Sequence, residues 1–385
     1  MKVYYWSPFI SHVATTTAVI NSIKSISKYS KGKFNCLIVD VFREWEPYLN
    51  ELSLNKINVK KLDSFLNIKH LPKNGYFKSR LTYILAFIFT IFKLHNLIRK
   101  EKPQYFIMHL ITSIPLSLLL LFNYDTKFIL RISGYPKLNI FRKIFWKSCS
   151  KYIHRVFCPT KLTKDFLIKN KIFSEEKIYV VEDPVIDVKE IFNKNKDSQL
   201  ELDLSLGNKK YLISIGRLTK QKNFNFLISN FKKILEKYNF IELVILGSGE
   251  EKNSLNELVQ KLKISNSVHF LGNKKNIYPY LKKSLFFVLT SEWEDPGFVI
   301  IESMYSKKIV FSSNCNNGPK EIINDQINGF LYENKNSQSF LKKFDMVMDA
   351  LENNKIKKKI LLSALKKTKK YTLFFHYKNI SKHLS

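Results

Sequence analysis

The chain has 385 residues, of which 45% are hydrophobic and 14% are aromatic. This composition excludes a disordered chain, and the length exceeds what one hydrophobic core usually serves, so two domains are expected. Lys and Arg total 64 against 32 Asp and Glu, and the formal charge of +32 indicates polyanions, an anionic membrane or phosphorylated substrates as partners.

The cysteines and the first residues bear on the cellular compartment. The four cysteines lie far apart, without the paired spacing of a zinc site or a disulfide framework, which fits a reducing cytosol. The stretch MKVYYWSPFI lacks the charged start, apolar run and cleavage site of a secretory signal. We therefore expect a cytoplasmic protein.

Strands and helices alternate in the first half of the chain. Strands are predicted at KVYYW, FNCLIVDVF, QYFIMHL, TKFILRIS, RVFCPT and KIYVVED, with helices through Val19–Tyr29 and Leu81–Lys100. Such alternation is typical of a parallel sheet wrapped by helices.

Two apolar stretches of this half resemble membrane spans. Residues 81–92 are uncharged but too few to cross a bilayer as a helix, and residues 104–124 are interrupted by Thr112, Ser113 and Pro115. We interpret both as buried elements. Contact of residues 81–92 with a membrane interface is the alternative.

The alternation restarts after a charged, Asn-rich stretch that we interpret as a linker. Strands are predicted at YLISIG, IELVILG, SVHFLG, LFFVLT and KIVFSS, with helices over Phe224–Lys237, Glu251–Lys263, Ile277–Lys283 and Pro296–Ser306. The predicted organisation is a first domain over residues 1–187, a linker over 188–210, a second domain over 211–365, and a C-terminal helix over 366–385 that packs back on the first domain. Both domains are predicted to be Rossmann-like, doubly wound and facing one cleft.

Two loops of the second domain have residues suited to phosphate binding. In GRLTKQKNF, Arg217 and Lys222 precede a helix whose free N–H groups also attract anions, although two solvated cations are an equal alternative in so basic a chain. In LGSGEE, Gly247 and Gly249 allow close backbone approach, but such turns are common in doubly wound sheets.

A third loop, SEWEDPGFVIIESM, places acids at a predicted helix start. Asp295 is expected to cap the helix and Pro296 to open it, so that Gly297 and Phe298 present free N–H groups. Glu302 stands among apolar residues, where a carboxylate needs hydrogen-bonding partners such as sugar hydroxyls. The alternative for Glu302 is a surface position or an ion pair with a lysine.

Together these loops resemble the family 4 retaining glycosyltransferases of the GT-B fold. Glu294 and Glu302 have the E-x7-E spacing of that family, and GRLTKQKN is similar to its donor-phosphate loop. LGSGEE, FLG, GPKEII and NGFLY follow in the family's order, so the resemblance covers residues 211–332. It implies an α/β protein of the GT-B class, with two Rossmann-like domains facing a central cleft.

The resemblance also implies the roles of individual residues. Arg217 and Lys222 would hold the donor diphosphate, Glu294 and the amides of Gly297 and Phe298 the transferred sugar, and Glu302 the ribose hydroxyls. The implied donor-binding residues are Gly216, Arg217, Lys222, Gly247, Gly249, Glu294, Gly297, Phe298 and Glu302, and the implied catalytic residues include Glu294, Arg217 and Lys222. The sequence departs from the family where EDPGF replaces the usual E-x-F-G.

The first domain departs further from the family pattern. SPFISHVAT replaces the Gly-Gly loop, and Arg131 follows the strand where a histidine is usual. The candidate replacements are Ser11 and His12 near the phosphates, and His109 or Arg131 near the acceptor as further catalytic residues. For each histidine the alternative is a buried structural residue.

The function implied is retaining transfer of a hexose or N-acetylhexosamine from a nucleotide diphosphate sugar, with UDP preferred. The expected acceptor is a saccharide, lipid-linked in our hypothesis, in the biosynthesis of surface polysaccharide such as lipopolysaccharide, O-antigen, capsule or exopolysaccharide. No cofactor and no metal are expected, because the sequence contains no Asp-x-Asp pair. We expect no nucleic-acid partner and a cytoplasmic enzyme, with peripheral contact at the anionic inner face of the membrane as a hypothesis.

Three other classes stay open. A GT-B-type nucleotide-sugar epimerase or a phosphorylase would use the same scaffold, although no pyridoxal-lysine context is evident. A basic nucleic-acid-binding protein would suit the charge, but the sequence has no zinc-finger, RNP or basic-helix motif. A membrane-anchoring module would leave the donor-like loops unexplained.

Overall fold

The computed structural model describes residues 1–10, 14–62, 67–69, 71, 76–196, 207 and 209–384. The chain forms two compact units. The first comprises Met1–Val185 with Leu373–Ser385, and the second comprises Ile186–Thr372.

The first unit is built on a parallel sheet of seven strands in the order β3-β2-β1-β4-β5-β6-β7. Its strands are β1 Lys2–Trp6, β2 Asn35–Asp40, β3 Asn58–Lys61, β4 Tyr105–Met108, β5 Lys127–Arg131, β6 Ile153–Cys158 and β7 Ile178–Val180. In β1, Tyr4 and Trp6 enter one apolar cluster while Val3 and Tyr5 enter another. Because both faces of the sheet are covered, its central strands are apolar throughout rather than alternating.

Helices cover both faces of this sheet. They are α1 Ala14–Tyr29, α2 Leu49–Leu54, α3 Tyr76–Glu101, α4 Ser113–Leu121, α5 Ile140–Cys149 and α6 Lys161–Lys169. The interpretation of residues 104–124 as a strand, a loop and a helix is confirmed by β4 and α4.

Helix α3 extends well beyond the apolar run at 81–92. Its segment Leu81–Glu101 is long and apolar enough to cross a membrane, and 39% of the most apolar window is buried in the protein. Length and composition do not distinguish such a helix from a core helix, so they assign no span. Its outer side exposes several large apolar residues, including Ile88 and Phe92.

The second unit has a parallel sheet of six strands in the order β10-β9-β8-β11-β12-β13. The strands are β8 Lys210–Ile215, β9 Ile241–Leu246, β10 Val268–Gly272, β11 Phe287–Leu289, β12 Val310–Ser313 and β13 Phe330–Tyr332. The helices are α7 Val188–Lys196, α8 Phe224–Lys237, α9 Lys252–Lys261, α10 Tyr278–Lys283, α11 Phe298–Tyr305, α12 Gly318–Ile322, α13 Ser337–Glu352 and α14 Asn354–Thr368. Since the strands are parallel, the loops after β8, β9, β11 and β12 leave the same edge of the sheet.

The stretch expected to be a linker over 188–210 begins with a helix instead. Helix α7 lies within the second unit and packs against α10. Residues 197–206 and 208 lie outside the described residues. Ile191 of α7 is buried while Phe192 is exposed, so one side of the helix packs, and the charged composition around it hid this signal.

The last helix, α15 Leu373–Ile380, belongs to the first unit and packs against α1. His376 is buried there between the Ser22 hydroxyl, 2.9 Å from Nε2, and the Glu182 carbonyl, 2.7 Å from Nδ1. The stretch 366–385, expected to be one C-terminal helix, is therefore shared: residues up to Thr372 belong to the second unit, and Leu373 and the residues after it belong to the first. The chain thus passes between the two units twice.

Candidate functional site

The loops after β8 and β9 lie against each other. The Gly216 N–H donates to the Leu246 carbonyl at 2.9 Å, and the Leu218 N–H donates to the Ser248 carbonyl at 2.9 Å. A Cβ on Gly247 would stand 1.9 Å from the Gly216 oxygen, and one on Gly249 would stand 2.3 Å from the Leu218 oxygen. Both glycines are therefore required by backbone packing, whether or not a ligand approaches them.

Lys222 reaches back across the first of these loops. A Cβ on Gly216 would lie 2.9 Å from Lys222 Cε, so the glycine leaves the space that the lysine stem occupies. The Thr290 hydroxyl donates to the Lys222 carbonyl at 3.0 Å, which ties this loop to the one after β11.

Lys222 Nζ forms an ion pair with Glu294 Oε1, and the Ser291 hydroxyl donates to the same oxygen at 2.5 Å. The side chains of Lys222 and Glu294 are only 15% and 5% exposed. A pair this buried is held by mutual neutralisation, because removing one partner leaves the other charge uncompensated. Two residues expected to contact different parts of the donor thus contact each other.

Arg217 lies on the same loop and is exposed. Within the described residues its guanidinium has no ion-pair partner, which leaves its five N–H donors available to an anion. Lys220, three residues on, is also exposed. Arg217 and Lys222 therefore differ. Among the described residues Arg217 is exposed without an ion-pair partner, whereas Lys222 is neutralised by Glu294.

Helix α11 begins at Phe298, and Gly297, with a φ of 90°, occupies the N-cap position that was expected for Asp295. The expectation that Pro296 opens the helix is wrong, because the helix starts two residues after it. Asn317 Nδ2 donates to Asp295 Oδ1 at 2.6 Å. A Cβ on Gly318 would stand 1.7 Å from the Pro296 oxygen, so the loop after β12 closes on this turn. The N–H groups of this first turn are suited to an anion or to sugar oxygens.

Glu302 lies on α11, beside groups of α7 and α10. Burial raises its pKa to about 7; the Lys194 ammonium and a hydrogen bond from Tyr278 oppose this, and the Glu190 carboxylate adds to it. Glu302 thus has protein partners of its own, and near neutral pH it is partly protonated.

Sequence reasoning missed Ser291 and Asn317. Ser291 follows the carboxyl end of β11, and Asn317 follows β12 and precedes the Gly-Pro turn. Their position after strand ends could have identified both as candidate site residues.

The first-domain candidates fall into two groups. Ser11 and His12 lie outside the described residues. His109 is buried and stacked on Tyr5 at 5.7 Å between ring centroids, and burial, with the nearby Arg131 cation, lowers its pKa well below the usual value.

Arg131 is also buried. It donates to the Val181 carbonyl at 2.5 Å and pairs with Asp183. Both His109 and Arg131 are therefore buried in the first unit and contact residues of that unit. Their contact with an acceptor stays a prediction. Across the described residues, no group of three or more His, Cys, Asp or Glu is arranged to hold a metal ion.

Residues 197–361 match the model of the family described as glycosyl transferases group 1. Over these residues the chain is similar to that family. Among its relatives, an uncharacterized glycosyltransferase of Methanocaldococcus jannaschii is 31% identical over 271 residues, which cover 65% of this chain and 65% of the relative.

A second relative is the N-acetylgalactosamine-N,N'-diacetylbacillosaminyl-diphospho-undecaprenol 4-alpha-N-acetylgalactosaminyltransferase of Campylobacter jejuni. It is 27% identical over 246 residues, which cover 62% of this chain and 64% of that enzyme. The chain thus spans just under two thirds of the length of both relatives.

Among solved structures, Anabaena HepE in complex with UDP has a TM-score of 0.73 at 15% identity, and the likeness covers 100% of this chain and 99% of that one. At this identity the likeness concerns the fold. With the two parallel sheets, it confirms the expected α/β GT-B class for this chain.

Proposed function

We propose that the protein is a retaining glycosyltransferase that moves a hexose or N-acetylhexosamine from a UDP-sugar to a saccharide acceptor. The observation that carries the proposal is the buried contact of Lys222 with Glu294. It joins a cation suited to phosphate and a carboxylate suited to sugar hydroxyls, from two loops at one edge of the second sheet.

The same edge supplies the remaining donor contacts. Arg217, exposed on the loop that carries Lys222, suits the diphosphate, and the N–H groups of the first turn of α11 suit anionic or sugar oxygens. When diphosphate arrives, Lys222 gains a second anionic partner beside Glu294. Glu302, partly protonated in the free protein, accepts ribose hydroxyls as the carboxylate.

The proposed chemistry needs little from the protein beyond charge. The acceptor hydroxyl oxygen bonds to the anomeric carbon as the bond from that carbon to the diphosphate oxygen breaks. The hydroxyl proton passes to the departing oxygen on the same face, which retains the configuration. Arg217 and Lys222 stabilise the charge that develops on the diphosphate, an effect on the order of several kcal/mol, and no metal or cofactor enters the proposal.

The acceptor is proposed to be lipid-linked, in surface-polysaccharide biosynthesis at the cytoplasmic face of the membrane. The Campylobacter relative is named for a diphospho-undecaprenol substrate. Support from this chain comes from an exposed apolar surface of the first unit, which we name the α3–α5 face. Its members are Leu81, Ile84, Ile88 and Phe92 of α3, Leu121 of α4, and Ile140, Phe141 and Ile144 of α5.

The α3–α5 face has the properties of a surface that contacts anionic lipid. Phe92 is 69% and Phe141 is 79% exposed, values unusual for such large apolar side chains. Helix α4 packs against both α3 and α5, so the three helices that carry these residues are neighbours. Arg142 and Lys147 stand on α5 beside the apolar residues, as in interfacial helices that dock without spanning.

Nucleotide binding tests the donor assignment. Thermal stabilisation by UDP, GDP and ADP identifies the base, since a ligand at a hundredfold its Kd adds about 2.7 kcal/mol. Arg217→Ala should weaken UDP binding by about 1.5–3 kcal/mol by calorimetry. Lys220→Ala removes an exposed cation from the same loop and should leave the affinity unchanged.

Equal affinity of Arg217→Ala and the wild type would overturn the diphosphate assignment. Proton NMR of the product tests retention, because inversion at the anomeric carbon gives a different coupling constant. Loss of activity in EDTA that Mg²⁺ restores would contradict the metal-free proposal. Epimerisation of the nucleotide sugar without transfer would favour the epimerase alternative.

A further inference from the structure

A cavity of about 280 Å³ lies at the amino-terminal edge of the second sheet. Its lining includes Lys210, the first residue of β8, and Ile309, which directly precedes β12. The donor loops leave the opposite ends of these strands. With β8 six residues long, the two edges are about 20 Å apart. The cavity is therefore separate from the proposed donor site.

The charges around the cavity are unbalanced. Four lysines line it, Lys210, Lys307, Lys308 and Lys357, against a single acid, Glu352. In the part of the chain that the structure describes, none of the four lysines forms an ion pair with a carboxylate. Like charges brought together without counter-ions repel one another, so the arrangement is more stable with an anion among them.

Lys308 is the most constrained of the four. Its ammonium donates to the Lys282 carbonyl at 2.7 Å and to the Ser284 carbonyl at 2.6 Å. An ammonium has three N–H donors, so one remains for a ligand. Burial, together with the nearby Lys357 ammonium, lowers the pKa of Lys308 to about 8.

The rest of the lining is mostly apolar. Phe240, Met348, Leu351 and Leu361 form the walls around the lysines. A bare inorganic anion would leave these walls in contact with water, whereas an alkyl chain would cover them, at about 0.8 kcal/mol for each buried CH₂. The apolar walls and the lysines together suit an amphipathic ligand that has an anionic head and an alkyl chain.

We propose that this cavity binds an alkyl phosphate monoester, with the phosphate held by Lys308 and Lys357 and the chain packed on Phe240 and Leu361. The proposal does not rest on the donor site. It concerns a second ligand, bound at the other edge of the same sheet.

Calorimetry with decyl phosphate below its micelle concentration tests the site on the full-length protein. Lys357→Gln, at a half-buried position of α14 that lines the cavity, should weaken binding about tenfold, as expected for loss of a charge-assisted hydrogen bond. Lys358→Gln removes an adjacent exposed cation that does not line the cavity, and should change the affinity less than about twofold. Decanol and inorganic phosphate should each bind more weakly than decyl phosphate.

The proposal is overturned if decyl phosphate does not bind, if the two lysine variants bind it equally, or if decanol or inorganic phosphate binds as tightly. Tighter binding of decanoate than of decyl phosphate would overturn the choice of phosphate over carboxylate. UDP binding measured on the same samples should be equal in both variants. A failure of this inference is then distinguishable from a failure of the donor assignment.

Discussion

Glu294 receives Lys222 and Ser291 at one carboxylate oxygen, although the sequence suggested separate ligand contacts for the lysine and the acid. The sequence identified both residues by their place in strand-end loops. It could not pair them, because the pairing depends on the space left by Gly216 and on the bond from Thr290 to the neighbouring loop. Such contacts between loops distant in sequence have no local signal.

The pairing predicts an asymmetric effect of Glu294→Gln. The variant should bind UDP at least as tightly as the wild type, because Lys222 is released to the diphosphate. Sugar transfer should fall about 10²–10³-fold, the range for loss of a polar contact to the reacting group. Calorimetry and a transfer assay measure the two effects.

Glu292→Gln is the matched control, since Glu292 lies two residues away and pairs with the exposed Lys335 at 3.0 Å. It should change neither quantity. Loss of UDP affinity in Glu294→Gln as large as the loss of transfer would contradict the division of roles.

Glu302 predicts a pH dependence of stability. Its pKa rises from 4.5 to about 7 on folding, so between these values the folded state binds more protons than the unfolded state. Stability therefore falls as pH rises from about 4.5 to 7, by about 1–3 kcal/mol from this residue. Glu302→Gln removes this contribution, and its stability relative to the wild type should increase across that interval. Urea unfolding at several pH values measures the difference, and a constant difference would refute the assignment.

At the scale of elements, two of the four edge strands were missed, while β7 and β10 were predicted. Periodicity identified the central strands because they are continuous apolar runs. It missed β3, whose sequence NVKK is mostly exposed, and β13, which has three residues. Strand β3 lacks an apolar signal because it is exposed, whereas β13 is buried and is hidden by its shortness. Helix α5 was missed because it exposes apolar residues on one side, Phe141 and Ile144 among them, while it buries Trp146 and Cys149 on another.

Helix α15 should depend on His376 for its attachment to the first unit. His376→Ala removes the contacts to Ser22 and to the Glu182 carbonyl and leaves a cavity, which should destabilise this contact by about 2–4 kcal/mol. Hydrogen exchange of the α15 amides measures the loss. Lys378→Ala, at an exposed position of the same helix, is the control and should leave exchange unchanged.

The same contact should weaken in acid. Burial lowers the pKa of His376 from 6.5 to about 3, so the unfolded state binds the additional proton between these values and stability falls as pH drops through this interval. Exchange of the α15 amides that is independent of pH, after correction for the intrinsic rate, would contradict this account.

At the scale of the whole molecule, the charge of +32 and the α3–α5 face predict binding to anionic membranes. The protein should sediment with vesicles containing phosphatidylglycerol and not with pure phosphatidylcholine. Binding should fade as salt rises, because screening shortens the range of surface charge to about 10 Å at 0.1 M.

A double variant, Phe141→Ser with Ile144→Ser, should reduce the fraction bound about tenfold, since two large apolar side chains no longer enter the interface. Leu54→Ser replaces an exposed leucine of α2, outside this face, and should bind as the wild type does. Equal binding to both kinds of vesicle, or an equal loss of binding in the two variants, would contradict the prediction that the protein binds anionic membranes through the α3–α5 face.

The two crossings of the chain between its units set an order for biosynthesis. Ile186–Thr372 is one uninterrupted segment, so the second unit is fully translated before α15 leaves the ribosome. At roughly 5–20 residues per second, the first unit waits roughly 10 to 40 seconds for its last helix. During that interval the surface of α1 that α15 later covers is open to water. The nascent chain should therefore recruit chaperones through its earlier half, and a released chain truncated just before Leu373 should have a native second unit beside an incomplete first one.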